Sequence, residues 1–142
     1  MASLTQRIAN IQQLGPVLEV VLAPSVLYLK NIGISVEDAP KSKLLAMIDT
    51  GATSTVIQAG IGQQLGINPI GYSFSNTPSH TKIKSYQFDI QLLFPNDSHI
   101  SSLIVTELPL QGQHIQCLIG RDILSFAVFI YTGYDNSFTL SF

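Results

Sequence analysis

"KLLAMIDTGATSTVIQAGIGQQLGI", residues 43–67, is the stretch on which the fold turns. Leu44, Leu45, Ala46, Met47 and Ile48 form a continuous apolar run, the pattern of a strand covered on both faces. The run stops at Asp49. A carboxylate at the end of a buried strand is costly unless backbone N–H groups and a hydroxyl surround it, which lets it ionise without full exposure to water. Thr50 and Gly51 supply such a turn, and Gly51 permits a backbone course that a side chain would obstruct. Ala52, Thr53 and Ser54 are small enough to keep the mouth of the loop open. Residues 57–65 then read as a helix weakened by Gly60 and Gly62, with Gly66 placed to cap it.

On either side of this stretch the chain is mainly β. Short apolar, β-branched runs at 17–22, 26–29, 86–94 and 101–106 are separated by turn residues. "EDAPKSK" is a polar connection before the Asp49 strand, and "PNDSH" at 95–99 is a tight turn between two strands. In "SLTQRIANIQQL", residues 3–14, Leu4, Ile8, Ile11 and Leu14 recur every three or four residues, which suits a short amphipathic helix ended by Gly15 and Pro16.

At 142 residues the chain is long enough for one real core and short for two. Charged residues make up only 11% against 46% hydrophobic, so there is little charge to cover an isolated monomer, and a homodimer with a buried interface is expected. A net charge of -2 without a Lys/Arg cluster gives no footprint for nucleic acid or an anionic membrane. Cys117 is the only cysteine, which excludes an intrachain disulfide and fits a reducing, cytoplasmic setting; it reads as a buried structural thiol. The N-terminus carries Arg7 and lacks the apolar core and small-residue cleavage site of a secretory signal. The apolar stretch "GPVLEVVLAPSVLYLKNIGI" is broken by Pro16, Glu19, Pro24 and Lys30, and reads as two β segments rather than the run of about 20 apolar residues a spanning helix needs.

"AMIDTGATSTVI" resembles the catalytic loop of the aspartic peptidases, where a hydrophobic strand leads into Asp-Thr/Ser-Gly-Ala/Ser. "CLIGRDIL", residues 117–124, is similar to the hydrophobic-hydrophobic-Gly segment that crosses behind that loop, followed by the Arg-Asp/Asn and short helix of retropepsins. "NSFTLSF" at the carboxyl end resembles the terminal strand that such subunits exchange across their dimer interface. The resemblance covers residues 16–142 and leaves 1–15 as an N-terminal extension. It implies a retropepsin-like closed β-barrel with one or two short helices, active as a two-fold dimer of the single-lobed retroviral or bacterial type. It also implies hydrolysis of a polypeptide substrate by Asp49, Thr50 and Gly51, without cofactor or metal. Gly51, Ala52, Thr53, Ser79 and His80 would contact that substrate, while Gly120, Arg121, Asp122, Phe138, Leu140 and Phe142 would support the site and the subunit contact. Arg121 would hold the region below the site. The chain departs from the retroviral pattern at Thr53, where an acid is usual, so the partner of that arginine must be Asp122 or an acid elsewhere, or the contact is lost.

Other chemistries fit less well. A phosphoryl-accepting aspartate of the ATPase type would be followed by Lys, whereas position 50 is Thr, and no Gly-Lys-Ser/Thr cradle is present. His80, His99 and His114 share no ligand spacing with one another or with a carboxylate, and no Gly-x-Ser-x-Gly elbow exists. With a single Asp-Thr-Gly, two facing carboxylates require two copies of the chain. Residues 72–88, polar at the centre and carrying Pro78 where viral flaps carry glycines, fall where the resemblance implies a covering hairpin. A second class of function stays open: a catalytically weak peptide-binding or dimerisation module on the same fold.

Overall fold

A strand with one apolar face has to bury it, and six strands here do so by bending round on one another. In the computed structural model, which describes residues 2–77 and 80–142, they are β2 (Val17–Pro24), β3 (Ser42–Ile48), β4 (Val56–Gln58), β6 (His80–Leu93), β7 (His99–Leu108) and β8 (Cys117–Ile119). The order is β2-β3-β8-β4-β7-β6, and a further pairing of β2 with β6 closes the barrel. Leu18, Val20 and Leu22 of β2, Phe88, Ile90 and Leu92 of β6, and Ile57, Val105, Cys117 and Ile119 fill it, all buried at alternating positions of their strands.

β3 is covered on both faces. Leu44, Ala46 and Ile48 point into the barrel, while Leu45 and Met47 pack on a smaller cluster of Val17, Leu110 and Ile115. The turn at 95–99 joins β6 to β7, with Asp97 in the left-handed region and the Phe94 N–H bonded to the Ser98 carbonyl. Among the described residues β5 (Gly71–Thr77) pairs only with β6, as a hairpin at the edge of the sheet. Pro78 and Ser79 lie outside the described residues.

Among the described residues four α-helical segments of four to seven residues, besides a 3-10 turn at Gly133–Asp135, decorate the barrel, against the one or two short helices expected: α1 (Ile11–Leu14), α2 (Val26–Ile32), α3 (Ile61–Gln64) and α4 (Arg121–Leu124). α2 replaces the strand expected at 26–29. Pro24 ends β2 and the Ser25 hydroxyl accepts the Tyr28 N–H, an N-cap that starts a helix in this apolar run. The helix expected over 57–65 shrinks to α3, because Ile57 is taken into β4 beside β7 and β8. Gly66 closes α3, its N–H bonded to the Gln63 carbonyl.

Residues 3–14 also differ from the helix their spacing suits. β1 (Ser3–Arg7) is a strand, and only α1 is helical. Leu4 and Ile8 are four apart, a separation that keeps two side chains on one face in a strand as well as in a helix, so the spacing did not discriminate. β1 pairs with β10 (Ser137–Ser141), and β10 pairs on its other edge with β9 (Val128–Thr132). Ile11 is 1% exposed in the main core, which ties residues 2–15 to the barrel.

This three-stranded sheet corrects the expectation for "NSFTLSF". β10 is its middle strand, with both edges hydrogen-bonded within the same chain, so no edge is left for a second copy's terminal strand. Phe138 and Leu140, 0% and 1% exposed, belong to the barrel core, and Phe142 packs edge-on against Phe94 at 5.0 Å between ring centres. Their alternating apolar face was read correctly, but its partner is the chain's own barrel. Among the described residues no helix is long and apolar enough to cross a membrane.

Candidate active site

β3 and β4 are consecutive in sequence but not neighbours, because β8 lies between them, parallel to β3 and antiparallel to β4. The connection at 49–55 must therefore cross the end of β8. Gly120 ends that strand, and a Cβ there would lie 2.5 Å from the Ser54 carbonyl carbon and 2.6 Å from its oxygen. Only glycine lets the loop pass so close. The crossing is fastened by backbone bonds: the Asp49 N–H donates to the Ile119 carbonyl at 2.9 Å, and the Arg121 N–H to the Ala52 carbonyl at 2.9 Å.

Within the loop the Asp49 carboxylate is half-buried and accepts the Gly51 N–H at 2.9 Å. The Ala52 N–H returns to the Asp49 carbonyl at 3.1 Å, closing a tight turn. A Cβ on Gly51 would lie 3.2 Å from Asp49 Oδ1 and crowd the carboxylate. Thr50, Gly51 and Thr53 are exposed and Ala52 is half-buried, so the loop faces solvent. Among the described residues the Thr50 side chain makes no hydrogen bond.

Arg121 and Asp122 divide the task of holding this loop. The Arg121 guanidinium donates to the Thr50 carbonyl at 2.8 Å and to the Thr53 hydroxyl at 3.3 Å. Thr53 thus keeps the contact with a hydroxyl at the position where the resemblance calls for an acid. Asp122 is not the substitute partner: its carboxylate accepts the Thr55 N–H at 2.9 Å, the Thr55 hydroxyl at 2.8 Å and the Ile123 N–H at 2.9 Å. Thr55, 1% exposed, was not singled out in the sequence. Its hydroxyl also accepts the Gly120 N–H at 3.1 Å, making it the link between the end of the loop and β8. The available signal was a hydroxyl-bearing residue directly before the apolar pair Val56 and Ile57, where a buried strand begins. Beneath these groups Cys117 is buried, and loss of hydration, with a lesser push from the Asp122 charge, raises its thiol from the ordinary 9.0 to about 12.

Asp49, Thr50, Gly51, Ala52, Thr53, Gly120, Arg121 and Asp122 are therefore brought together around one crossing. His80 opens β6 at the outer end of the hairpin, paired with Thr77, and Ser79 is outside the described residues. Phe138, Leu140 and Phe142 are in the core and its margin instead. The hairpin carries an exposed cross-strand cluster, in which Lys84 Nζ lies 4.4 Å from the Tyr72 ring centre and Tyr72 meets Phe74 edge-on. A cavity of about 670 Å³ lies between α3 and the base of the hairpin, lined in part by Phe88 and Glu107, and Asp49 does not line it. Glu107 is a buried carboxylate whose oxygen accepts the Gly60 and Gly62 N–H groups at the start of α3.

No protein-family model matches the chain, and no curated protein matches it. Among solved structures, a retropepsin-like aspartic protease from Rickettsia conorii matches 100% of this chain and 96% of its own length, with a TM-score of 0.54 and 14% identity. The chain has a retropepsin-like fold. At that identity the likeness speaks for the fold, and function has to be argued from the site.

Proposed function

We propose that this chain is an aspartic endopeptidase whose active site forms between two copies, each contributing Asp49. The observation that carries the reading is the half-buried Asp49 carboxylate, held by the Gly51 N–H in a solvent-facing loop pinned beneath by Gly120 and Arg121. A structural aspartate would be expected to spend its acceptors on the fold, as Asp122 does on Thr55 and Ile123. Asp49 accepts a bond only from its own turn among the described residues.

Two carboxylates about 3 Å apart cannot both ionise easily, so a pair of Asp49 side chains would share one proton. The ionised member takes a proton from a water held between them, and that water attacks the peptide carbonyl. The protonated member hydrogen-bonds the developing oxygen, and proton return to the leaving nitrogen completes cleavage without a covalent intermediate. The Thr50 hydroxyl, which makes no bond among the described residues, would bond across the pair to the opposite loop. Gly51 and Ala52 would offer their backbone to an extended polypeptide, and the β5–β6 hairpin would cover it.

The test is cleavage of an unstructured peptide library by wild type and Asp49→Asn. The amide keeps the shape of the side chain but cannot supply the shared acidic proton, so hydrolysis should fall by at least about 1,000-fold with the circular dichroism spectrum unchanged. Equal turnover by the purified variant would refute the mechanism. A chain that binds the library without cleaving it would point to the peptide-binding module instead.

A further inference from the structure

A site made of two copies needs a surface on which they meet, and β10 offers no free edge. Resting on the peptidase reading above, we infer that the copies join through the outer edge of β9, antiparallel to itself across a two-fold axis, making one six-stranded sheet in the order β1-β10-β9-β9-β10-β1.

The terminal sheet has two outer edges, and they differ in chemistry. β1 exposes Ser3, Thr5 and Arg7, and a charged, polar edge of this kind discourages pairing with another chain. β9 and its approach, "SFAVFIYTG" at 125–133, carry no charge at all. Phe126, Val128 and Ile130 are 77%, 48% and 52% exposed on this segment, and Tyr131 and Tyr134 are exposed beside them. Among the described residues β9 pairs on one side only, with β10, and its other backbone edge has no strand beside it, next to exposed apolar side chains. Left open, such an edge invites uncontrolled association.

A second copy of this chain is the occupant that the rest of the molecule favours. An antiparallel strand pair is self-complementary under a two-fold axis, so one edge can serve both copies. The edge is also tied to the half-site: β9 follows α4, whose first residue, Arg121, holds Thr50 and Thr53 and whose backbone N–H fastens Ala52. Pairing at β9 would thus act on the element that positions Asp49. Charge along the edge would oppose it, because each substitution is presented twice around the axis.

The experiment combines Val128→Glu and Ile130→Glu with single cysteines at Val128, Ile130 and Thr132. Because β9 is exposed, the glutamate variants should keep the wild-type circular dichroism spectrum. They should sediment as monomers at concentrations where wild type is a dimer, and lose peptide hydrolysis by at least about 100-fold. At least one cysteine should give a covalent dimer on oxidation, reversed by reductant, with Cys117 too buried to contribute. Glutamate variants that remain dimeric, together with no cross-link at any of the three positions, would overturn the β9 interface. Failure of the peptidase reading looks different: the dimer forms and dissociates as described, but neither wild type nor a cross-linked dimer cleaves any peptide.

Discussion

The loop at 49–55 and the terminal sheet β1-β10-β9 both lie against the barrel, held by different kinds of contact. In the loop most contacts are directed bonds to particular atoms: Asp49 to Gly51, Arg121 to Thr50 and Thr53, Asp122 to Thr55, Ser54 laid over a glycine. In the terminal sheet the fastening is a ladder of backbone bonds with Phe138 and Leu140 sunk into the core. The first kind is rigid and residue-specific, while the second tolerates any alternating strand of suitable volume. A disturbance of the sheet's buried face, at Phe138 or Leu140, should therefore read out as stability, and a disturbance of the loop, on the peptidase reading, as activity.

The largest effect separating them is expected at Phe138. Its ring is fully buried and packs against Phe129, so Phe138→Ala should cost about 4 kcal/mol in denaturant unfolding and leave little folded protein to assay. A loss under about 1 kcal/mol would mean that the terminal sheet is an appendage, and the contrast would collapse. Gly120→Ala comes next. Its Cβ would meet Ser54 backbone rather than a movable side chain, so the loop has to shift, at about 2 kcal/mol in stability. Peptide hydrolysis should fall further than that stability loss predicts, because Asp49 moves with the loop; hydrolysis tracking the folded fraction alone would show that the crossing is structural only.

This difference also accounts for what the sequence made legible. The Asp-Thr-Gly turn, the glycine behind it and the arginine beside it could be found because each directed contact demands a residue type at a fixed spacing. The turn at 95–99 was legible for the same reason. Alternation at Phe138, Leu140 and Phe142 showed that one face is buried, but a ladder accepts many neighbours, so the strand's partners could not be deduced. At Leu4 and Ile8 the four-residue spacing satisfies both periods, and at 26–29 the short apolar run suggests a strand while the Pro24-Ser25 cap sets a helix. Thr55 escaped notice because its importance lies in Asp122, which is distant in sequence.

Burial of Cys117 beneath the loop gives a pH test of the same contrast. Above pH 9.0 the unfolded chain gives up the thiol proton, whereas the folded chain keeps it to about 12. The folded state then binds more protons than the unfolded state, so stability is at its full value below about pH 9 and falls as pH rises toward 12. The expected slope from this one group is roughly 1 kcal/mol per pH unit within that window. Other groups titrate there too, so the quantity to measure is the difference between wild type and Cys117→Ala, whose own packing loss is constant with pH. A difference that stays flat from pH 9 to 11 would mean that the thiol is not sealed beneath the crossing.

Thr53 gives the smallest effect and the finest distinction. Arg121 reaches its hydroxyl at 3.3 Å, longer than the 2.8 Å bond to the Thr50 carbonyl, and both Arg121 and Thr53 are exposed. Thr53→Asp would place a carboxylate beside a guanidinium already fixed in direction by that carbonyl, so little side-chain entropy remains to be lost. An exposed pair of this kind contributes about 0.5 kcal/mol, and salt screens it. The variant should therefore unfold at slightly higher denaturant than wild type in dilute buffer, with the gain shrinking in about 1 M salt, where the screening length is near 3 Å. Arg121→Lys in the same background should remove the gain, because an ammonium cannot serve the carbonyl and the carboxylate with one planar fork. If Thr53→Asp were neutral at low salt, Arg121 would be positioned by the Thr50 carbonyl alone. The hydroxyl at 53 would then be a bystander, and the directed contacts of the loop would be one fewer than the geometry counts.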